Sequence, residues 1–483
     1  MHLRVDILRP PQHEGRNVRN RAGPDLGVQT WCAEALVDGR MDFDDLPLDE
    51  RLLRAVADEG YRTPTPVQAM TIPALLDGRD VLGVAQTGTG KTAAFALPIL
   101  HHLASERPAH GRPIRALILS PTRELAAQIG DRVRAYGHAL PLRSFVIFGG
   151  VGHMPQVKAL RKGVDVLIAT PGRLLDLEEQ GHLDLSDLTH LVLDEADRML
   201  DMGFIRDVRR ILALLPKRRQ NLLFSATMPK GIRDLVSTML HDPVRVDVSP
   251  EAPTTDRIDQ YVAFVRKSDK RRLLVELIEA EMVDCGIVFT RTKHGANRLA
   301  QQLDRAGIAA EAIHGNKSQS ARVRALEAFR RGDVPLLIAT NIAARGIDVE
   351  DITHVFNYDL PNEPEDYVHR IGRTARAGRR GVAYSFCDET ESGYLVGIQR
   401  LLGASVPVFE DHRYHHPEAV PKPGQRPGRV KPTNASNNAN KRPRSGNRNK
   451  GHRGKSLQGK SHQGKSRQGR QQRSGGSRPR DRR

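Results

Sequence analysis

The segment "AQTGTGKT" at 85–92 sets a lysine and a hydroxyl behind two glycines. These residue types let backbone N–H groups and one ammonium surround a phosphate. It misses the G-x-x-x-x-G-K-[ST] pattern only at Ala85, whereas 454–461 and 459–466, inside "GKSLQGKSHQGKS", match it outright. Position decides among the three. A phosphate loop needs a buried strand to deliver the turn and a helix to add its N-terminal dipole. "DVLGVA" (80–85) supplies the strand and "KTAAFALPIL" (91–100) the helix start, with Pro98 expected to kink or end its first turns. The later repeats are flanked only by further polar repeats, so their match is an accident of composition.

A second cluster supplies what the loop lacks. About a hundred residues on, "HLVLDEAD" places Asp194 and Glu195 at the end of an apolar strand. Phosphoryl transfer requires a lysine on the phosphates, a hydroxyl and a carboxylate for Mg²⁺, and a residue that positions water. Lys91, Thr92, Asp194 and Glu195 fill those roles in that order.

Parallel sheets position such groups. From about 80 to 248, "DVLGVA", "ALILS", "FVIF", "VDVLIAT", "HLVLDEAD" and "NLLFSAT" alternate with longer amphipathic stretches, the pattern of βαβ units. It resumes with "QYVAFV", "CGIVFT", "AEAIHG", "PLLIAT", "THVFNY" and "GVAYSF". The reading is an α/β protein of two tandem domains: 41–248, a linker at 249–257, and 258–405. Residues 1–40 show little periodicity and read as an upstream extension, with the natural start at Met41, or as a disordered arm. Residues 406–483 are poor in aliphatics, carry three G-K-S-x-Q copies at 454–468, and read as a disordered basic tail.

Charge and cysteine usage narrow the class. The net charge is +18, but residues 421–483 hold 7 Lys, 13 Arg and one acid, so the rest of the chain is close to neutral. Cys32, Cys285 and Cys387 form no C-x-x-C pair, which excludes a disulfide framework and a cysteine-rich zinc site. No apolar run approaches the roughly 18 residues of a membrane span, and the N-terminal stretch has no signal-peptide core. A cytoplasmic location is expected.

With these residues in place, the sequence resembles the DEAD-box ATP-dependent RNA helicases over residues 43–400, most closely the bacterial RhlE-like subgroup through 161–188 and the basic tail. That family's loop also begins with Ala, and its fold is two RecA-like domains. The resemblance implies that "GYRTPTPVQ" (60–68) reads adenine, with Gln68 on the base edge, Tyr61 stacked on the ring and Phe43 upstream, so the nucleotide is ATP with Mg²⁺. Ala85, Gln86, Thr87, Gly88, Thr89, Gly90, Lys91 and Thr92 then form the nucleotide loop, with Thr92 and Asp194 on the metal and Asp348 on the ribose. It implies RNA backbone contacts from "PTRELA" (Pro121, Thr122, Arg123), "GG" (Gly149, Gly150) and "TPGR" (Thr170, Pro171, Gly172, Arg173). In the second domain it implies the same for Arg291 of "VFTRT", Gln319 and Arg322 of "QSAR", and Thr340 and Gly346 of "TNIAARGID". "SAT" (Ser225, Thr227) and His369 couple hydrolysis to domain movement.

Arg370, Arg373 and Arg376 of "HRIGRTARAG" recur every three residues, so one side of a helix presents them. Matched to the family, Arg373 and Arg376 reach the γ-phosphate on closure, making hydrolysis depend on it. One residue departs: Asn341 stands where the family usually has Asp, removing a charge near the domain interface but keeping hydrogen-bonding capacity. The implied activity is local RNA strand separation by RNA-stimulated ATP hydrolysis, with sequence-nonspecific backbone contacts. The tail at 421–483 adds an electrostatic tether to RNA, or else serves only solubility or other polyanions. The alternative activity is an ATP-regulated RNA clamp or chaperone that anneals strands through its tail. A DNA translocase lacks support, because 43–400 shows no added wedge or second motor element.

Overall fold

The computed structural model describes residues 41–85, 88–106, 108, 111–248, 257–341, 352–375 and 379–428. The 1–40 extension, nearly all of the 249–257 linker and the chain from 429 onward lie outside the described residues, as do Gln86, Thr87, Gly346, Asp348 and Arg376.

Seven short strands make the first sheet: β1 (Val81–Val84), β2 (Ala116–Leu119), β3 (Ser144–Ile147), β4 (Val166–Ala169), β5 (His190–Leu193), β6 (Gln220–Ser225) and β7 (Val244–Asp247). Their order is β3-β4-β2-β5-β6-β1-β7, and every pairing is parallel. Helices cover both faces, so inner strands read as unbroken apolar runs rather than alternating ones. Within β2, Ile118 packs into the cluster on one face while Leu117 and Leu119 pack into the other.

The second sheet holds β8 (Ile258–Phe264), β9 (Gly286–Phe289), β10 (Ala310–Ile313), β11 (Leu336–Ala339), β12 (His354–Asn357) and β13 (Gly381–Cys387). Its order is β10-β11-β9-β12-β13-β8, again all parallel. The expected α/β architecture of two parallel-sheet domains is therefore present. In such sheets the loops after the strand C-termini share one edge, where sites are built.

Two expectations need correction. The helix after the phosphate loop runs unbroken from Lys91 to Ser105 with Pro98 inside it. Buried packing of both Leu97 and Ile99 holds the turn that the missing N–H weakens. The second domain also does not stop at 405, nor does structureless tail begin at 406. Val262 N donates to Pro407 O (2.8 Å), Phe409 N to Val262 O (2.9 Å) and His416 N to Phe264 O (2.9 Å). Strand β8 is the sheet edge, and this segment covers its unpaired row of backbone groups. Phe409 lies 5.3 Å from Tyr384 and 6.2 Å from Tyr261, ring centre to ring centre, and Val406 and Ala419 are buried. A few anchors among polar residues leave no periodicity for a sequence reading to find.

Candidate nucleotide and nucleic-acid site

The functional edge of the first sheet is built on the loop that follows β1. Gly90 has φ 89°, and a Cβ there would stand 2.5 Å from Gln68 Nε2, so glycine alone fits. Lys91 opens the helix and is almost fully buried; its Nζ donates to Ala85 O at 2.9 Å and lies 4.0 Å from Asp194 Oδ1. The 60–68 segment clasps this loop from the other side. Thr65 Oγ1 donates to Thr89 O (2.8 Å), and Gln68 Nε2 donates to Gly90 O (3.1 Å) while its Oε1 accepts from Thr65 N (2.8 Å). The amide thus keeps one N–H and one lone pair for a base edge. Tyr61 is exposed enough to stack, at 36%, whereas Phe43 is a core residue at 4% whose N–H donates to Arg62 O. Phe43 therefore acts by holding the loop, not by offering its ring.

Asp194 and Glu195 end β5, and Glu195 takes a left-handed conformation, φ 54°, an unusual state for a non-glycine residue and one that clusters at functional positions. Burial pushes the Asp194 carboxyl up to about 6, against the pull of Lys91 and with the repulsion of Glu195. Glu195 Oε2 pairs with Arg198. Asp194 Oδ1 and Glu195 Oε1 are both buried without a hydrogen-bond partner from the protein. Two such oxygens suit a hard, oxygen-seeking cation, so these carboxylates fit Mg²⁺; Thr92 follows Lys91 in the first turn of the helix.

Asp197 carries the link to the next strand. Its Oδ2 accepts from Ala226 N (3.1 Å), Thr227 N (2.8 Å) and Thr227 Oγ1 (2.9 Å), and its N–H donates to Ser225 Oγ (3.3 Å). The acidic turn and the "SAT" turn therefore move as one body. His369 of the second domain sits within electrostatic reach of this pair; burial lowers its pKa, with Arg198 adding to the effect and Asp197 opposing it.

On the second sheet the same edge is filled by committed charges. Arg370 is 3% exposed; its Nε donates to Asn341 Oδ1 (2.7 Å), its Nη1 to Asn357 Oδ1 (3.0 Å) and to Asp359 O (2.6 Å), and it lies over the Phe289 ring. Asn341 in turn donates Nδ2 to Asp366 Oδ2 at 2.7 Å. An amide can accept from one neighbour and donate to the other, which an aspartate cannot do; this explains the departure at 341. Arg373 is buried, with Nε donating to His369 O (3.2 Å).

Across the domains, Glu124 Oε1 accepts from Gln319 Nε2 (2.9 Å) and Glu124 Oε2 pairs with Arg322 Nη2 (2.9 Å). Gln319 and Arg322 are thus buried against the first domain, a role the sequence reading did not give them. Arg123 lies over Gly150, and its pKa is lowered by burial and by the crowding of Arg322 and Arg173. Three guanidiniums meet here, with Glu124 pairing Arg322 and Asp176 pairing Arg173 (3.2 Å), and the excess of cations suits a phosphate backbone. Arg173 reaches Val151 O (3.2 Å) and keeps Nη1 buried without a hydrogen-bond partner, while the Thr122 hydroxyl caps the helix behind it by accepting from Leu125 N (3.3 Å). Pro121 and Gly149 lie in the turns around these side chains, Thr170 caps the helix that Pro171 and Gly172 open, and Thr340 follows β11. Arg291 stays exposed but is committed: it pairs with the buried Glu391, donates Nη2 to Leu360 O (3.3 Å) and stacks over Tyr394.

Asp197, Glu124, Arg198, Asn357 and Glu391 went unnoticed as site residues in the sequence. Asp197 and Glu124 carried a usable signal, their places in the "DEAD" turn and in "PTRELA".

Comparison with known proteins agrees with this geometry. Residues 65–235 match the family model described as DEAD/DEAH box helicase, and 269–378 match that of the helicase conserved C-terminal domain. The chain is 41% identical over 386 residues to the ATP-dependent RNA helicase RhlB of Shewanella oneidensis, covering 79% of this chain and 88% of that one. It is 43% identical over 358 residues to the DEAD-box ATP-dependent RNA helicase CshA of Geobacillus kaustophilus, covering 74% and 76%. Among solved structures it is similar to S. cerevisiae Dbp5 bound to RNA and ADP BeF3, at 32% identity and a TM-score of 0.66, covering 76% of this chain and 95% of that one.

Proposed function

Because the chain belongs to the DEAD/DEAH box helicase family, whose relatives here are ATP-dependent RNA helicases, we propose that it separates short RNA duplexes locally by closing its two domains on ATP and RNA together. The observation that carries this reading is Glu124, which accepts from both Gln319 and Arg322 and so ties the RNA-facing edge of one domain to the other. ATP and RNA each favour the joined arrangement, so binding of one strengthens binding of the other. Lys91 holds the phosphates, Glu195 orients the attacking water, and Arg373 and Arg376 complete the charge around the γ-phosphate. Asp194 and Thr92 hold Mg²⁺, which supplies charge neutralisation on the phosphates. Asp197 passes the state of this site to Ser225 and Thr227, and His369 reads it from the second domain. Gln68 and Tyr61 select adenine, and Asp348 meets the ribose.

Arg123, Gly149, Gly150, Arg173, Thr340 and Gly346 grip sugar and phosphate, so the core binds without sequence preference. The 421–483 segment tethers RNA electrostatically. Domain limits of 41–248 and 258–428 fit these roles. The RhlE-like subgroup reading rests on 161–188 and the basic tail alone. No described helix is long and apolar enough to cross a membrane, and a cytoplasmic location suits the proposed substrate.

ATP hydrolysis with and without single-stranded RNA, in the wild type and in Lys91→Ala, tests the reading. Strong RNA stimulation that vanishes in the variant is the expected result. Equal rates without RNA would sink closure-dependent hydrolysis and favour the clamp activity.

A further inference from the structure

The described chain ends on the functional edge of the second domain. In its parallel sheet the C-terminal ends of β9, β11, β12 and β13 lead into Thr290, Thr340, Tyr358 and Asp388, all on that edge, and the helix Ser392–Leu402 begins there. The segment that covers β8 returns to the start of this helix. Gln425 Nε2 donates to Ser392 Oγ (2.8 Å), and Gly428 N donates to Gly393 O (2.8 Å). Gly428 packs so closely that a Cβ would stand 2.8 Å from Tyr394 Cδ1. The same Tyr394 ring lies 5.5 Å from the Arg291 guanidinium. The described chain therefore ends against Tyr394, beside Arg291, and the sequence that follows, 429–483, carries 18 Lys and Arg against one acid.

We propose that residues 406–428 form a strap that fixes the origin of this cationic segment at the Arg291–Tyr394 pair. Its charges then act on the RNA strand lying along that edge of the second domain. The inference rests on the RNA reading above and adds where the tether starts. Origin matters because the effective concentration of a linked binding element falls roughly as the −3/2 power of the chain between it and its target. Arg429 and Lys431 stand one and three residues from the anchor, so their advantage depends on the strap holding. A cationic segment without a fixed origin would gain nothing from bonds as specific as those of Gln425 and Gly428.

Three variants test this in an ATPase assay read as the KM for single-stranded RNA, with kcat and the KM for ATP as controls. One inserts thirty Gly/Ser residues between Gly428 and Arg429, about 30 Å of root-mean-square reach, without changing any charge. A second, Gly393→Val, sets a Cβ 3.1 Å from Gly428 N and lifts the end of the strap. The third ends at Gly428. The insertion and Gly393→Val are expected to raise the RNA KM roughly threefold, part of the way to the shortened chain, with both controls unchanged and the difference shrinking at higher salt. An insertion variant with the KM of the full chain overturns the strap proposal. A chain ending at Gly428 that binds RNA as well as the full one overturns the tether as well. A full chain whose hydrolysis ignores RNA overturns the proposed function instead, so the failures are distinguishable.

Discussion

The functional edges of the two sheets handle charge in opposite ways. On the first, Asp194 Oδ1 and Glu195 Oε1 are buried without a hydrogen bond from the protein, and Glu195 holds a strained left-handed backbone. On the second, Lys270 is wholly buried yet pairs with Asp388 (3.1 Å) and Glu391 and donates to Tyr358 O (3.0 Å), while Arg370 has acceptors at Asn341, Asn357 and Asp359. A buried polar atom without a partner costs free energy in the folded state, so such atoms persist where a ligand will use them. A buried charge with its partners in place makes a rigid platform. The first edge thus keeps oxygens open to a ligand, and the second presents a fixed surface of paired charges.

This contrast can be broken most severely on the chemical side. Glu195→Gln is expected to lower kcat for ATP hydrolysis roughly 10²- to 10⁴-fold with little change in folding, because it removes the water-positioning carboxylate. Steady-state hydrolysis together with a melting curve checks both halves. On the platform side the reverse is expected. Lys270→Ala strands Asp388 as an uncompensated buried charge and leaves Glu391 with Arg291 alone, and should cost about 3–5 kcal/mol in the second domain's urea transition; an unchanged transition would show that the cluster is not structural.

Acid probes the opposite edge of the first sheet, where His190 begins β5 and stacks on His102. Burial, then the charges of His102 and Arg115, hold the His190 pKa down to about 4. The unfolded side chain titrates near 6.5, so the contribution is complete above that pH and is lost as pH falls from about 6.5 toward 4. A loss of roughly 2 kcal/mol by pH 5 follows from about 1.4 kcal/mol per pKa unit. His190→Phe should flatten the pH dependence of the first domain's unfolding midpoint; an identical slope in the variant would refute this.

The smallest effect is expected where the two edges meet. Glu124→Gln keeps an acceptor for Gln319 but removes the charge facing Arg322, and should lower RNA-stimulated kcat/KM roughly fivefold, since a charge-assisted bond is about twice as strong as a neutral one. Stability of the separate domains should not move. If it does, Glu124 belongs to a core and not to a joint.

What could be read from the sequence follows the same division. Lys91, Thr92, Asp194 and Glu195 were legible because each follows an apolar run that had to be a buried strand, and strand ends in parallel sheets define an edge. The platform was not legible. Arg370 and Asn341 are 29 residues apart, and Glu124 and Gln319 are 195 apart. No local period records such pairings. The arginine spacing in 370–376 pointed to one helical face, but the helix ends at Ile371 and leaves Arg373 beyond it, while Arg370 is turned inward by acceptors contributed from two other segments. The strap was missed for a related reason: Val406, Phe409 and Ala419 bury too little apolar surface to reveal themselves, and they matter because β8 had an open side.

That open side also bears on how the molecule is made. Strand β8 is the first of the second domain to emerge during synthesis, but its sheet partner is β13, matched residue for residue from Ile258 with Gly381 to Phe264 with Cys387. More than a hundred residues must follow before that partner exists, and the strap comes later still. Pairing over such separations is slow, and an unpaired strand is exposed to association with other chains in the meantime. Strand β1 of the first domain waits in the same way for β6 and β7, so each domain's first strand is a vulnerable point in the biogenesis of this protein, and a shortened product lacking β13 would have no sheet partner for β8.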